Sequence, residues 1–261
     1  MRSSNLMLPV AADNLPLRVS PFAASRHGVE QALAALGLTL AGAQIDALLA
    51  YLDLISKWTR VYNLTAVRDP ADMVTHHLLD CLAAMAPLAR HFESTRFVQN
   101  DGPVHTPKLG LRAGQGRRLL DVGSGAGLPG VVIAICFPDV SVTCVDTVAK
   151  KVAFITQAAF TLRLPNLTGL HARVEALAAP AHPPFDVICA RAFASLVDFT
   201  QWSAAALAPG GIWMAMKGKH PQDEIDVLPG TVDVFHVEQL KVPHLDAERC
   251  IVWMRKNAAS H

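Results

Sequence analysis

The sequence predicts an α/β fold, a mostly parallel sheet with helices on both faces, set behind a helical N-terminal extension. Three observations predict it. From residue 118 onward, short apolar runs alternate with stretches of helical periodicity, the pattern of βα units. The first strand and helix are joined by a glycine-rich turn, "LLDVGSGAGLPG", Leu119 to Gly130. Up to about residue 92, helical spacing dominates instead. With 261 residues, 51% of them hydrophobic, the chain suits one α/β domain with a small added element and can bury a full core.

Taken in order, residues 1–25 carry Pro, Ser and Asn without periodicity and read as a disordered tail. The apolar run near the start is too short and proline-broken for a signal peptide. Residues 26–99 form the helical extension. There Ile45, Leu48, Leu49, Leu52, Ile55 and Trp58 make one apolar stripe. "ADMVTHHLLDCLAAMAPLAR" predicts a second helix, started by Asp69-Pro70. Residues 100–117, rich in Gly, Pro and basic side chains, read as a long loop insert. The main domain covers 118–257. "RLLDVG", "VSVTCVDT", a short piece of "LTGLHARVEAL", "FDVICARA", "GIWMAMKG", "TVDVFHVEQL" and "RCIVWMRK" are its strands. "LPGVVIAICF", "AKKVAFITQAAFTL" and "LVDFTQWSAAAL" are its helices, with Pro129 in the first turn of the first one.

The remaining composition narrows the setting. The five cysteines include no C-x-x-C pair and sit mostly in apolar contexts, so they read as buried free thiols of a cytoplasmic protein. The longest candidate membrane run, "VVIAICF", is far below spanning length. A net charge of +1 does not announce a nucleic-acid binder, but binding needs only a local basic face.

The glycine turn is a ligand site by its chemistry, because bare backbone turns sharply and admits close approach. Gly125, Gly127 and Gly130 spell the dinucleotide pattern G-x-G-x-x-G, but that pattern expects its first glycine directly after the strand, at Gly123. The other register is D-x-G-x-G-x-G, from Asp121 to Gly127. A carboxylate at the strand tip repels a pyrophosphate and attracts the ammonium and sulfonium of S-adenosylmethionine. No Lys-Ser/Thr follows, which excludes a P-loop. Asp146 ends the second strand, where an acid can accept both ribose hydroxyls. Val174 and Glu175 follow the third strand, beside the place for an adenine ring, although Glu175 reads equally as a solvated helix cap.

Arg191 ends the fourth strand and points toward the same crevice, able to grip a carboxylate or phosphate. Lys217 and Lys219 stand at the fifth strand's tip, within reach of a phosphodiester. His76 and His77 are adjacent, so on a helix they diverge and cannot chelate together; no metal cluster, triad or paired-carboxylate device appears. Met214 and Met216 read as strand core. Methyl transfer to a lone pair that is already free, such as guanine N7, needs alignment more than a base.

"DVGSGAGLPG", "ARAFASL", "MKGKHPQDEI" and above all "YNLTAVRDPADMVTHHLLDCL" resemble the bacterial small-subunit ribosomal RNA methyltransferase G family, from about Tyr51 to Arg255. The resemblance implies a class I S-adenosylmethionine-dependent methyltransferase fold, Rossmann-like and seven-stranded, with a helical extension. It implies methylation of guanine N7 in 16S rRNA, on RNA or the small ribosomal subunit. Apart from the resemblance, no metal, obligate protein partner or membrane is expected, and a monomer is the simpler expectation. By motif, Gly123, Leu128, Val174, Glu175 and Arg191 contact the cofactor; Asp121, Gly125, Gly127 and Asp146 join them from the reading of the turn. Asn63, Leu64, Thr65 and His77 map onto the N-terminal motif near the crevice. Asn63, His77, Arg191 and Lys217 are thereby candidates for positioning substrate, and Lys57, Arg60, Arg68 and Lys219 complete a basic mouth. The chain departs from the family at Thr59, where Asn is usual, at Cys81, where Ser is usual, and in the length of the insert.

Other readings are a methyltransferase of another RNA, a protein or a small molecule, an NAD-dependent oxidoreductase, and a non-catalytic RNA-binding module. Calorimetric titration separates the cofactor classes: heat with S-adenosylmethionine and none with NAD is expected, and the reverse overturns the reading of the turn.

Overall fold

The computed structural model describes residues 22, 25–97, 116–178, 180 and 182–257, so the expectations for the tail and the insert fall almost wholly outside the described residues. The extension comprises α1 (Arg26–Ala35), α2 (Gly42–Tyr62), α3 (Pro70–Met73), α4 (Asp80–Leu82) and α5 (Met85–Phe97), with a π-helical segment, Val74–Leu79, between α3 and α4. The sheet domain runs β1 (Arg118–Val122), α6 (Gly130–Cys136), β2 (Ser141–Asp146), α7 (Ala149–Thr161), β3 (Leu167–His171), a 3₁₀ turn at Val174–Ala176, and β4 (Phe185–Arg191). It continues through α8 (Leu196–Ser203), β5 (Leu207–Lys217), α9 (Gln222–Asp226), β6 (Val232–Leu240) and β7 (Arg249–Lys256).

The seven strands lie in the order β3-β2-β1-β4-β5-β7-β6. The first five are parallel, and β7 runs antiparallel to both of its neighbours. The mostly parallel seven-stranded α/β sheet is therefore as the sequence predicts. Strand order reverses between β1 and β4, and the crevice above their carboxyl ends is where such sheets hold ligands.

Strand parity divides the core. Leu119, Val187, Cys189, Met214, Met216, Ile251 and Trp253 face the extension. Leu120, Val122, Ile188, Ala190, Trp213, Ala215, Val252 and Met254 face the layer under α8. Ile45, Leu48, Leu49, Leu52 and Ile55 of the stripe on α2 are buried as expected, together with Tyr51, while Trp58 at its end is half-buried. Tyr51 and Trp58 pack on Phe154 of α7, with centroids 6.3 and 5.4 Å away. Gln44 Nε2 donates to the carbonyls of Ile135 and Cys136 at 2.8 and 3.2 Å, satisfying acceptors that the end of α6 leaves open. Phe92 packs edge-on against Phe137, and His91 stacks on Trp253, so α5 lies across β7.

The structure corrects three expectations. The single helix predicted over "ADMVTHHLLDCLAAMAPLAR" is divided by the π-helical segment and by a turn at Ala83–Ala84. Pro129 precedes α6 instead of occupying its first turn. The segment after β5 carries a short helix, α9, that its proline and lysines concealed. The start at Asp69-Pro70 holds: the Asp69 side chain accepts from the N–H groups of Ala71 and Asp72. All five cysteines are buried and free.

Asn166, just before β3, donates through Nδ2 to the carbonyls of Ala134, Phe137 and Val140 at 3.0, 3.3 and 3.1 Å, tying the end of α6 to the entry of β2. Asn166→Ala is expected to cost about 1–3 kcal/mol, because it strands the Ala134 and Val140 carbonyls, whereas that of Phe137 keeps the Val140 N–H. Denaturant titration measures the loss; an unchanged midpoint contradicts the role.

Candidate functional site

The turn between β1 and α6 is held from several sides. Gly123 and Ser124 donate their N–H groups to the Val145 carbonyl on β2, at 2.9 and 3.2 Å. The Ser124 carbonyl closes the turn by accepting from Gly127 and Leu128. Gly127 has φ +84°, and a Cβ there would lie 2.4 Å from Val131 Cγ2 and 3.3 Å from the Tyr51 hydroxyl. Only glycine fits that conformation and that space. Over Gly125 the situation differs: a Cβ would meet nothing nearer than the Gly123 carbonyl at 3.9 Å, so the backbone there is open to a ligand.

Asp121 is not at the mouth of the turn, as the charge reasoning placed it. It shares the parity of Leu119 and lies under α6 with no exposed surface. Its Oδ2 accepts the Gly130 N–H at 2.9 Å, with the Cys144 and Cys189 thiols 3.9 and 3.8 Å from its two oxygens. Burial pushes its carboxyl up to about 7 against the opposing pull of the Gly130 N–H and of Arg191. Its influence on a ligand therefore runs through the turn. Asp146 is the acid at the turn's edge. Its Oδ2 accepts from Gly125 N–H at 3.0 Å and its Oδ1 from Val148 N–H at 2.9 Å, with Lys151 Nζ 3.6 Å away. Beyond β3, Val174 is buried and Glu175 is exposed in the 3₁₀ turn; Leu128 is buried beside the glycines.

A second group lies where the extension meets the carboxyl ends of β4 and β5. A cleft of about 800 Å³ is lined by Arg68, Asp72, His77, Asp80, Arg191 and Arg249, among others. Register pairs Asp121 with Cys189, so Arg191 stands level with Gly123, next to the turn. Arg191 shares the parity of Cys189 and so reaches toward the extension. Its Nη1 donates to Asp80 Oδ2 at 2.8 Å and to the His76 carbonyl at 2.9 Å. The other oxygen of Asp80 accepts from Arg249 Nε at 2.8 Å. One buried carboxylate thus orders two guanidiniums and leaves the trio with one net positive charge.

Thr65 Oγ1 and His77 Nε2 share a hydrogen bond of 2.8 Å. Burial, aided by Arg191, pushes His77 down to about 4, so the ring is neutral at physiological pH and the cleft's charge comes from arginine. Asn63 closes α2 in the left-handed conformation, and its Oδ1 accepts from Arg68 Nη2 at 2.6 Å. Lys217 borders the cleft, but it has the parity of Ala215, opposite to Met216, and Glu224 of α9 holds its ammonium at 2.8 and 2.9 Å. The sequence reading placed that lysine free at the strand tip; Glu224 takes it instead.

The structure thus arranges these candidate residues in two adjoining groups, the turn with Asp146 and the cleft with His77 and Arg191, while Asn63 is exposed and reaches the cleft only through Arg68. Sequence reasoning missed Asp80, Arg249 and Tyr51. Asp80 carried a signal, as the lone acid in the apolar run "HHLLDCLAAM", and Tyr51 fell on the buried stripe of α2. Arg249 carried none, since its partner is 169 residues away.

Comparison with known proteins bears on what such a pair of sites serves. The model of the family described as rRNA small subunit methyltransferase G matches residues 44–98 and 110–252. The ribosomal RNA small subunit methyltransferase G of Polaromonas naphthalenivorans (strain CJ2) is 64% identical over 230 residues, 88% of this chain and 95% of that protein. That of Acidovorax ebreus (strain TPSY) is 61% identical over 229 residues, 88% of this chain and 94% of that protein. Both matches run through the extension as well as the sheet.

The buried Asp121 gives stability a defined pH dependence. Its folded-state pKa is raised, so the folded chain binds this proton more tightly than the unfolded chain, and the group's contribution fades as pH rises through about 7. Asp121→Asn, which cannot ionise, is expected to gain stability relative to the parent as pH rises from about 4 to about 7, and the difference is expected to level off above that. Denaturant midpoints for both proteins across that range measure it; a difference independent of pH refutes it.

Proposed function

The chain belongs to the rRNA small subunit methyltransferase G family, and from that premise we propose that it uses S-adenosylmethionine to methylate N7 of a guanine in 16S ribosomal RNA. The observation that carries this reading is the adjacency of an open backbone turn and an arginine-lined cleft at the strand-order reversal. The turn fits the cofactor: the backbone at Gly125 is uncovered, and Asp146 stands at its edge. Gly123, Gly125, Gly127, Leu128, Asp146, Val174 and Glu175 would hold it, with Arg191 at the boundary to the cleft. When bound, it supplies an electrophilic methyl group carried on a sulfonium.

Guanine N7 offers a lone pair with no proton to remove, so the chain's contribution is to hold the base still and in line. His77 and Arg191 in the cleft, with Asn63 beside it on Arg68, would do this, each already fixed by its own partner. A neutral His77 adds no positive charge where the base itself becomes cationic. RNA backbone would lie along the end of α2, where Lys57 and Arg60 are exposed. Val61 and Tyr62 are also 71% and 42% exposed there, and Trp58 backs Tyr62 at 5.1 Å, a ledge on which a base can stack.

Tritiated S-adenosylmethionine and small subunits from a strain lacking the enzyme test the proposal. Label is expected in the rRNA at one guanine that becomes sensitive to borohydride and aniline cleavage; unlabelled rRNA overturns it. Arg60→Ala is expected to raise KM for subunits about 3- to 10-fold and to flatten its salt dependence, with kcat retained. An unchanged KM removes the end of α2 from the RNA surface.

A further inference from the structure

We infer that Tyr51, in the extension, is a positioning residue for the cofactor turn. The inference rests on the proposed use of S-adenosylmethionine. Tyr51 lies in the middle of α2 and has no exposed surface. Its hydroxyl donates a short hydrogen bond to the Ala126 carbonyl, between Gly125 and Gly127. Burial pushes the phenol well above its ordinary range, so it stays a neutral donor at every working pH. The ring itself is seated on Phe154, which fixes the hydroxyl's position.

The turn needs such a partner. Its N–H groups are directed to Val145, Ser124 and Asp146, but the Ala126 carbonyl lies on the side facing the extension, and Tyr51 is the donor that meets it. Without that bond a buried carbonyl is left unmet, and it can recover a partner only if the turn swings toward water. Gly125 and Gly127, at φ +59° and +84°, offer little resistance to such a swing. Because the ligand lies against this same backbone, a moved turn weakens cofactor binding directly. Gln44 provides the contrast: it also joins α2 to the sheet domain, but at the far end of α6.

Tyr51→Phe keeps the ring and removes the donor. It is expected to raise the Kd for S-adenosylmethionine about fivefold by calorimetry, and KM for the cofactor by a similar factor. KM for small subunits and kcat are expected to stay within twofold of the parent. Gln44→Ala is expected to lower the melting temperature while leaving the cofactor Kd unchanged. If Tyr51→Phe lowers only the melting temperature, or if both variants shift Kd equally, Tyr51 is structural and the inference fails. If the parent protein binds no S-adenosylmethionine, the proposed function falls as well, an outcome that the variants alone cannot produce.

Discussion

A turn in which every second residue is glycine has few side chains with which to hold itself, and the rest of this structure supplies most of the hold. The bare backbone from Gly123 to Gly127 is what allows a ligand to approach, and it is also what costs most entropy to order. Asp121 meets the Gly130 N–H from beneath, Asp146 the Gly125 N–H from the side, Val145 the two N–H groups at the start, and Tyr51 the carbonyl facing outward. They come from three different elements, so the turn is rigid only when β1, β2 and α2 are all in place. Asp121 shows the cost of this arrangement: a carboxylate is kept where water cannot reach it, and its proton affinity rises accordingly.

The extension is consequently part of the site and not an arm attached to it. The same face of the sheet that carries Asp121 carries Arg191, and both look toward the extension because strand parity gives them no other direction. Without Asp80, Arg191 and Arg249 would be two partly buried like charges facing one another. Without α2, the carbonyls at the end of α6 and at Ala126 would lack donors. Groups of the sheet domain are thus completed by groups far earlier in the chain, 75 residues for Ala126 and Tyr51 and 111 for Arg191 and Asp80.

How much of this was legible follows from the range of each signal. Strands, helices and the glycine turn were readable because period and turn chemistry are local. Asp146, ending β2 beside the turn, was readable for the same reason. Asp121, Arg191 and Lys217 were found as residues but aimed wrongly in part, since all three were taken to share one crevice. Parity was available in the sequence: Asp121 is two residues from Leu119, and Lys217 is two from Ala215, so they belong to opposite faces. What the sequence could not reveal was which face the extension covers, and hence that Arg191 meets Asp80 while Lys217 meets Glu224. The break in the helix before α5 was hidden because a π-helical segment keeps helical spacing while adding a residue to the turn.

The pairing of these charges explains how a chain of net charge +1 can serve an RNA substrate. Lys217 is neutralised by Glu224, and Arg191 and Arg249 share one carboxylate, so the charges nearest the turn are largely spent on holding the protein in shape. What remains for phosphates is exposed and farther out, on Lys57, Arg60 and Lys219. Such a distribution gives weak, salt-sensitive attraction at the rim and strict geometry at the centre.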